Sequence, residues 1–250
     1  VLPWYDENPE AEDKTYCKWG GFVEDVDKFD AEFFNISPRE AEWMDPQLRL
    51  LLQSIYATGE DAGYINKLRG TNTGVFVGVC CHDYLDLINE MDIPVEPYIG
   101  MGNYHSVIAN RVSFLFDLKG PSISVDTACS SSLFAIHNAC QALRNKECDM
   151  AFVGGVNLLL SSYHYRYFSS MGALSPSGRC HTFDEAADGY IPGECIATLL
   201  LKPLQQAKRD GDHIYGVIKG SAALHGGNTP SFTAPSVSGE ENVIVKAWED

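Results

Sequence analysis

Residues 120–146 read GPSISVDTACSSSLFAIHNACQALRNK. SISV (122–125) is short and β-branched and follows a Gly-Pro turn, which is strand composition. Beyond it, Leu133, Ile136, Cys140 and Leu143 recur at helical spacing, with His137 in the same stripe. Cys129 therefore falls on a tight turn between a strand and the N-terminus of a helix. The helix dipole and the unbonded backbone N–H groups at that end favour an anion, so a thiolate is stabilised there. The same N–H groups can donate to an oxyanion forming on an attacked carbonyl. A nucleophile on a strand-to-helix turn is the logic of the nucleophile elbow, here with cysteine in place of serine.

The flanking sequence extends this strand–helix alternation. In DPQLRLLLQSIYATGEDAG, Asp45 is a good N-cap and Pro46 suits the first helical position. Leu48, Leu51, Leu52, Ile55 and Tyr56 form one apolar stripe. Short apolar runs at 73–79, 122–125, 150–155, 195–201 and 214–220 read as strands buried on both faces, with helical patterns between several of them. This is a layered α/β arrangement, with no internal repeat or linker. Near the end, Ser238-x-x-Glu241 reads as a capping box that opens a helix with Ile244, Ala247 and Trp248 on one side. The sequence stops at Asp250 with that helix barely formed and no C-cap glycine, so a piece of a longer domain is expected.

The composition excludes several partners. A formal net charge of −16 opposes binding to nucleic acid or to an anionic membrane surface. No apolar run approaches the roughly 20 residues of a membrane helix, and no basic-then-apolar leader opens the sequence. The eight cysteines are scattered without a C-x-x-C, which suggests reduced thiols and a cytoplasmic setting. The adjacent Cys80 and Cys81 have the wrong spacing for a metal or redox pair. The acidic FDEAADG (183–189) raises the question of a metal, but a structural loop is expected there and no metal site is assigned.

GPSISVDTACSSSL (120–133) resembles the active-site motif of beta-ketoacyl synthases, the condensing enzymes of polyketide and fatty acid synthesis. The resemblance covers nearly the whole chain, in family order. It runs through GGFVEDVDKFDAEFFNISPREAEWMDPQLRLLL (20–52), GVFVGV (74–79), ANRVSFLFDLKGPS (109–122) and AFVGGVNLLL (151–160). It continues through GALSPSGRCHTFDEAADGYIPGEC (172–195) and KRDGDHIYGVIKGSA (208–222). It is most similar to a ketosynthase domain of a modular type I polyketide synthase. SFTAPSVSGEENVIVKAWED (231–250) leans toward systems whose acyltransferase acts in trans.

The resemblance implies an α/β fold, the N-terminal half of the layered αβαβα thiolase-like architecture without its first strand and its C-terminal half. On that reading residues 1–44 are an extended or loop segment and 45–250 the core. Cys129 would be the nucleophile that takes an acyl chain as a thioester from an acyl carrier protein. Decarboxylative Claisen condensation with a malonyl-type extender would follow. Tyr104 and Phe168 would wall the acyl pocket. No cofactor of the protein's own is implied, since substrates ride on the carrier's phosphopantetheine. Other polyketide synthase domains and a second copy, in a homodimer joined through the strand before the cysteine, would be the partners.

The family also uses two histidines, in His-Gly-Thr-Gly-Thr and Asn-x-Gly-His blocks, and neither block occurs in these 250 residues. His137 reads as a satisfied core or interface histidine. Two rival readings are a non-elongating ketosynthase that only passes acyl chains on, and a structural or carrier-docking module. A degradative thiolase fits DTACSSS (126–132) less well.

Overall fold

TGVFVG forms β1 (Thr73–Gly78), buried along its whole length, and SISV forms β2 (Ser122–Val125) parallel to it. Val75 stands opposite Ser122 and Gly78 opposite Val125. With β3 (Met150–Asn157) and β4 (Cys195–Leu201) they make a four-stranded sheet in the order β2-β1-β3-β4. The structure is a computed structural model and describes residues 2–231 and 233–250. Phe232, within the quoted C-terminal block, lies outside the described residues.

The helices are α1 (Pro38–Trp43), α2 (Pro46–Asp61), α3 (Asp83–Glu90), α4 (Pro97–Asn103) and α5 (His105–Phe116). They continue with α6 (Ser131–Arg144), α7 (Tyr163–Ser170), α8 (Leu204–Asp210) and α9 (Val237–Glu249). Helix α2 begins as its sequence requires. The Asp45 carboxylate accepts the Gln47 amide N–H at 2.8 Å, and Leu48, Leu51, Leu52 and Ile55 are fully buried. Burial pushes the Asp45 carboxyl above the usual carboxylate range, and hydrogen bonds from Gln47 oppose the shift.

Helix α6 buries a different face from the one its large residues suggest. Its buried residues are Ser131, Ala135, Ala139 and Ala142, whereas Leu133 is 70% exposed. Ile136 and Leu143 are half-buried at the side of the same cluster. The cause is close approach. The first turn of α6 lies backbone to backbone on Gly78 of β1, and only small side chains fit along that line.

The chain divides into two compact units. The first comprises Val1–Ser54, Cys80–Ile108 and Gly155–Ala197, and the second Ile55–Val79, Ala109–Gly154 and Thr198–Asp250. Cys17, Tyr165 and Leu174 form a core in the first, joined by Phe168 and Tyr190. In the second, Phe76, Cys148, Ala151 and Val153 pack with the α6 alanines. Also in the second, Lys202 donates to the Tyr64 hydroxyl at 2.5 Å and to the carboxylates of Asp210 and Asp212 at 2.5 and 2.7 Å. Burial disfavours the Lys202 ammonium, but these three partners outweigh it and hold its pKa above the ordinary value.

Four sequence expectations need correction. Residues 214–220 form no strand, and Tyr215 and Val217 are 81% and 50% exposed; among the described residues no strand pairs with this run to take its backbone groups. Of the four strands, β1 and β3 are largely buried, whereas β2 and β4, at the two edges of the sheet, alternate between half-buried and exposed residues. The cap of α9 is Ser236, whose hydroxyl accepts the Gly239 N–H at 3.1 Å, so Ser238 lies inside the helix rather than at its start. Residues 1–44, expected to be extended or loop, contain helix α1, because the Ser37 hydroxyl caps it by accepting the Glu40 N–H at 3.2 Å and Pro38 suits its first turn. Among the described residues no helix is long and apolar enough to cross a membrane.

Candidate active site

Where β2 ends, the chain turns through Asp126 and Thr127 into a single 3-10 turn, Ala128–Ser130, which runs directly into α6. Ala128 has φ 52°, a left-handed conformation that L-residues avoid. Holding a non-glycine residue there costs about 1–2 kcal/mol. The local side chains offset that cost. The Asp126 carboxylate accepts the Ala128 N–H at 3.0 Å, and the Ser131 hydroxyl donates to the Ala128 carbonyl at 2.6 Å. Ser131 Oγ also accepts the Thr127 N–H at 2.9 Å. Ser130 Oγ donates to the Thr127 carbonyl at 2.9 Å and lies equally close to Thr127 Oγ1. At about 1 kcal/mol net for each such bond, the network balances the strain.

Cys129 sits in this turn with its side chain exposed. The N–H groups of Thr127, Ala128, Ser130 and Ser131 are taken by the Ser131 hydroxyl, the Asp126 carboxylate, the Thr127 carbonyl and the Ala128 carbonyl, so the backbone donor that accompanies the accessible sulfur is the N–H of Cys129 itself. The other seven cysteines lack that setting. Burial pushes the thiols of Cys17, Cys140 and Cys148 up. Cys195 lies within β4, and Cys180 Sγ accepts the Ile191 N–H at 3.2 Å. The Cys80 and Cys81 sulfurs lie 3.8 Å apart.

Tyr104 and Phe168 belong to the first unit and Cys129 to the second. Phe168 projects from α7 into an aromatic cluster, with its ring centroid 4.4 Å from His164, 5.0 Å from Tyr167 and 5.8 Å from Tyr190. His164 Nε2 lies 3.1 Å from the Tyr190 hydroxyl. Burial lowers the His164 pKa from its ordinary value, and the charge of Asp83 opposes this. Neighbouring Tyr165 is 1% exposed, and burial pushes its phenol up to about 12. Tyr104 is the C-cap of α4; it is 60% exposed, and its ring lies over Gly100.

His137, on α6, has its Nδ1 2.9 Å from the Ser221 hydroxyl, a satisfied histidine as its position in the stripe suggested. The FDEAADG segment is held as a loop. Asp184 accepts the Ala186 N–H, and Asp188 accepts the Ser175 hydroxyl at 2.7 Å. Among the described residues no cluster of three or more His, Cys, Asp or Glu is placed to hold a metal ion. The sequence reading did not single out Asp126, Ala128, Ser131 or Gly78. The run of three serines and the glycine closing a buried strand were visible signals, but only the backbone angles distinguish their roles.

Comparison with known proteins gives this elbow a lineage. The sequence model described as "Beta-ketoacyl synthase, N-terminal domain" matches residues 3–207. Polyketide synthase PksL of Bacillus subtilis is 48% identical over 253 residues, covering 98% of this chain and 6% of that protein. A phenolphthiocerol/phthiocerol polyketide synthase of Mycobacterium tuberculosis is 45% identical, covering 98% of the chain and 13% of that protein. Among solved structures, the ketosynthase from module 6 of the Bacillus subtilis bacillaene synthase superposes with TM-score 0.88 at 42% identity, covering 99% of this chain and 41% of that one. An oxazolomycin ketosynthase domain from Streptomyces albus gives TM-score 0.89 at 39% identity, covering 99% and 43%. The chain thus spans about two fifths of the solved ketosynthases it matches.

Proposed function

The chain belongs to the beta-ketoacyl synthase family, with its relatives in polyketide synthases, and from that premise we propose that Cys129 is the acyl-accepting nucleophile of a polyketide ketosynthase. The Cys129 sulfur attacks the carbonyl carbon of an acyl thioester carried by an acyl carrier protein. The tetrahedral oxyanion is met by the backbone N–H of Cys129 as one donor. The carrier's phosphopantetheine thiol then leaves with a proton, and the acyl chain remains on the enzyme. A malonyl-type extender then loses carbon dioxide, and its enolate carbon attacks the Cys129 thioester carbonyl; the acyl C–S bond breaks, the Cys129 thiolate leaves, and the lengthened β-ketoacyl chain stays on the extender's carrier. Tyr104 and Phe168 wall the acyl pocket. The observation that carries this reading is an exposed thiol held by a left-handed alanine at the mouth of a helix.

The test is incubation of the intact protein with an acyl thioester, followed by peptide mass spectrometry. The adduct is expected on Cys129 and should vanish in Cys129→Ala. An adduct that persists in that variant overturns the assignment. The 250 residues by themselves are expected to form at most this acyl-enzyme, because neither histidine block used for decarboxylation occurs in them. A β-ketoacyl product from the 250-residue chain alone would contradict that expectation.

A homodimer is part of the same proposal. Strand β2 is an edge of the sheet, its Ile123 is 43% exposed, and Phe114 of α5 is 76% exposed. A second β2 would cover such an edge. Sedimentation of the intact protein at micromolar concentration should show a dimer, and a monomer alone would remove this part of the reading.

A further inference from the structure

The three consecutive serines after the nucleophile look equivalent in sequence and are not equivalent in the fold. Ser130 and Ser132 are exposed, whereas Ser131 is 5% exposed. Ser130 reaches only Thr127. Ser131 reaches both sides of the left-handed residue. Its hydroxyl accepts the Thr127 N–H at 2.9 Å and donates to the Ala128 carbonyl at 2.6 Å, and its own amide N–H donates to that same carbonyl. With Asp126 on the Ala128 N–H at 3.0 Å, both peptide groups of Ala128 are gripped by groups within three residues. Ala128 immediately precedes Cys129, so its φ of 52° sets the direction in which the thiol leaves the turn.

We propose that Ser131 is a positioning residue for the nucleophile: its buried hydroxyl holds Ala128 in the left-handed conformation and thereby fixes where the Cys129 sulfur and the Cys129 backbone N–H stand. The role rests on the reading of Cys129 as the acylated residue. Removing the hydroxyl frees Ala128 to relax toward the right-handed region that alanine prefers, and the sulfur moves with it. A displacement of about 1 Å at a reacting atom can cost on the order of a hundredfold in rate.

Glycine supplies the decisive control, because it takes positive φ without steric cost. If Ser131 acts through the Ala128 backbone, Ala128→Gly should compensate for its loss. A role confined to packing α6 would not be relieved that way. The experiment uses the intact protein and measures acylation of Cys129 over a range of thioester concentrations in wild type, Ser131→Ala, and the double variant Ala128→Gly with Ser131→Ala. Ser131→Ala is expected to lower the saturating acylation rate about 10- to 100-fold, with little change in the half-saturating concentration. The double variant should recover most of the lost rate.

A wild-type rate in Ser131→Ala overturns the proposal, and so does a double variant as slow as the single one. If Ser131→Ala does not fold, a double variant that folds and acylates supports the proposal. A double variant that also fails to fold counts against it. Alkylation of Cys129 by iodoacetamide, run in parallel on the same proteins, separates the two readings. A wild type that is alkylated but never acylated refutes the proposed function, and the alkylation rates of the three proteins then judge the positioning role alone.

Discussion

Gly78 and Ser132 meet backbone to backbone: a β-carbon added at Gly78 would stand 2.5 Å from the Ser132 amide nitrogen and 2.6 Å from the Ser131 carbonyl carbon. Neither atom belongs to a side chain that can swing aside, so even one methyl group must push α6 away from β1. Gly78→Ala is expected to destabilise the fold by about 1–3 kcal/mol, as overpacking does. It should also slow acylation of Cys129, because the elbow moves with the helix start. Denaturant unfolding and the acylation assay, run on the same protein, check both halves. Wild-type stability and rate in Gly78→Ala would refute the close approach.

Pocket selectivity gives a second expectation. If Tyr104 and Phe168 border the acyl chain, Tyr104→Ala and Phe168→Ala should broaden acceptance toward longer or branched acyl thioesters. A series of thioesters competing for Cys129, resolved by mass spectrometry, reads this directly. Unchanged preference in both variants would remove these residues from the pocket.

His164 makes stability depend on pH. Its pKa is lowered mainly by burial, so the unfolded chain binds this proton at a higher pH than the folded chain. Stability therefore rises with pH between the lowered native value and the unfolded value of about 6.5, and falls as the solution is acidified through that window. Urea unfolding at stepped pH should show the decline in wild type and a shallower one in His164→Gln. An equal slope in the two proteins would mean that other groups carry the effect.

Lys202 is the hinge of a small ionic network. Its side chain is 8% exposed, while its partner carboxylates on Asp210 and Asp212 are 44% and 18% exposed. Lys202→Met leaves the more buried Asp212 without its cation and is expected to cost about 1–3 kcal/mol, the range for stranding a buried polar group. The Asp212 carboxyl opposes its own burial through hydrogen bonds from Lys202 and Tyr64, which hold it below the usual range. That contribution is present above the unfolded value near 3.9 and is lost as pH falls through the native one. Acid titration of wild type and Lys202→Met by circular dichroism should show a smaller acid loss in the variant, where Tyr64 alone still donates to Asp212; equal losses would mean that Lys202 does not carry the effect.

Much of this arrangement was legible in the sequence because period and punctuation agree with it. SISV and CIATLLL became β2 and β4 with their expected limits, and Asp45-Pro46 opens α2. Where the reading failed, tertiary context decided. The run at 214–220 is apolar and β-branched, yet a strand exists only where a partner takes its hydrogen bonds. Hydrophobicity also misjudged α6, since its large residues mark a helix but its alanines mark the contact. At the site, strand–Cys–helix was readable from composition. The left-handed Ala128 was not, because alanine carries no preference for that region.

Every side-chain hydrogen bond described at the elbow joins residues between Asp126 and Ser131. The geometry of the nucleophile is thus written in six consecutive residues, and they can travel together when genes recombine. Such a cassette brings its own scaffold wherever it lands. Its demand on the recipient is steric: the strand beneath must present a bare α-carbon at the place of Gly78. Chimaeras joined between residues 79 and 126 that keep that glycine should inherit a working turn, and those that bring in a larger residue there should not.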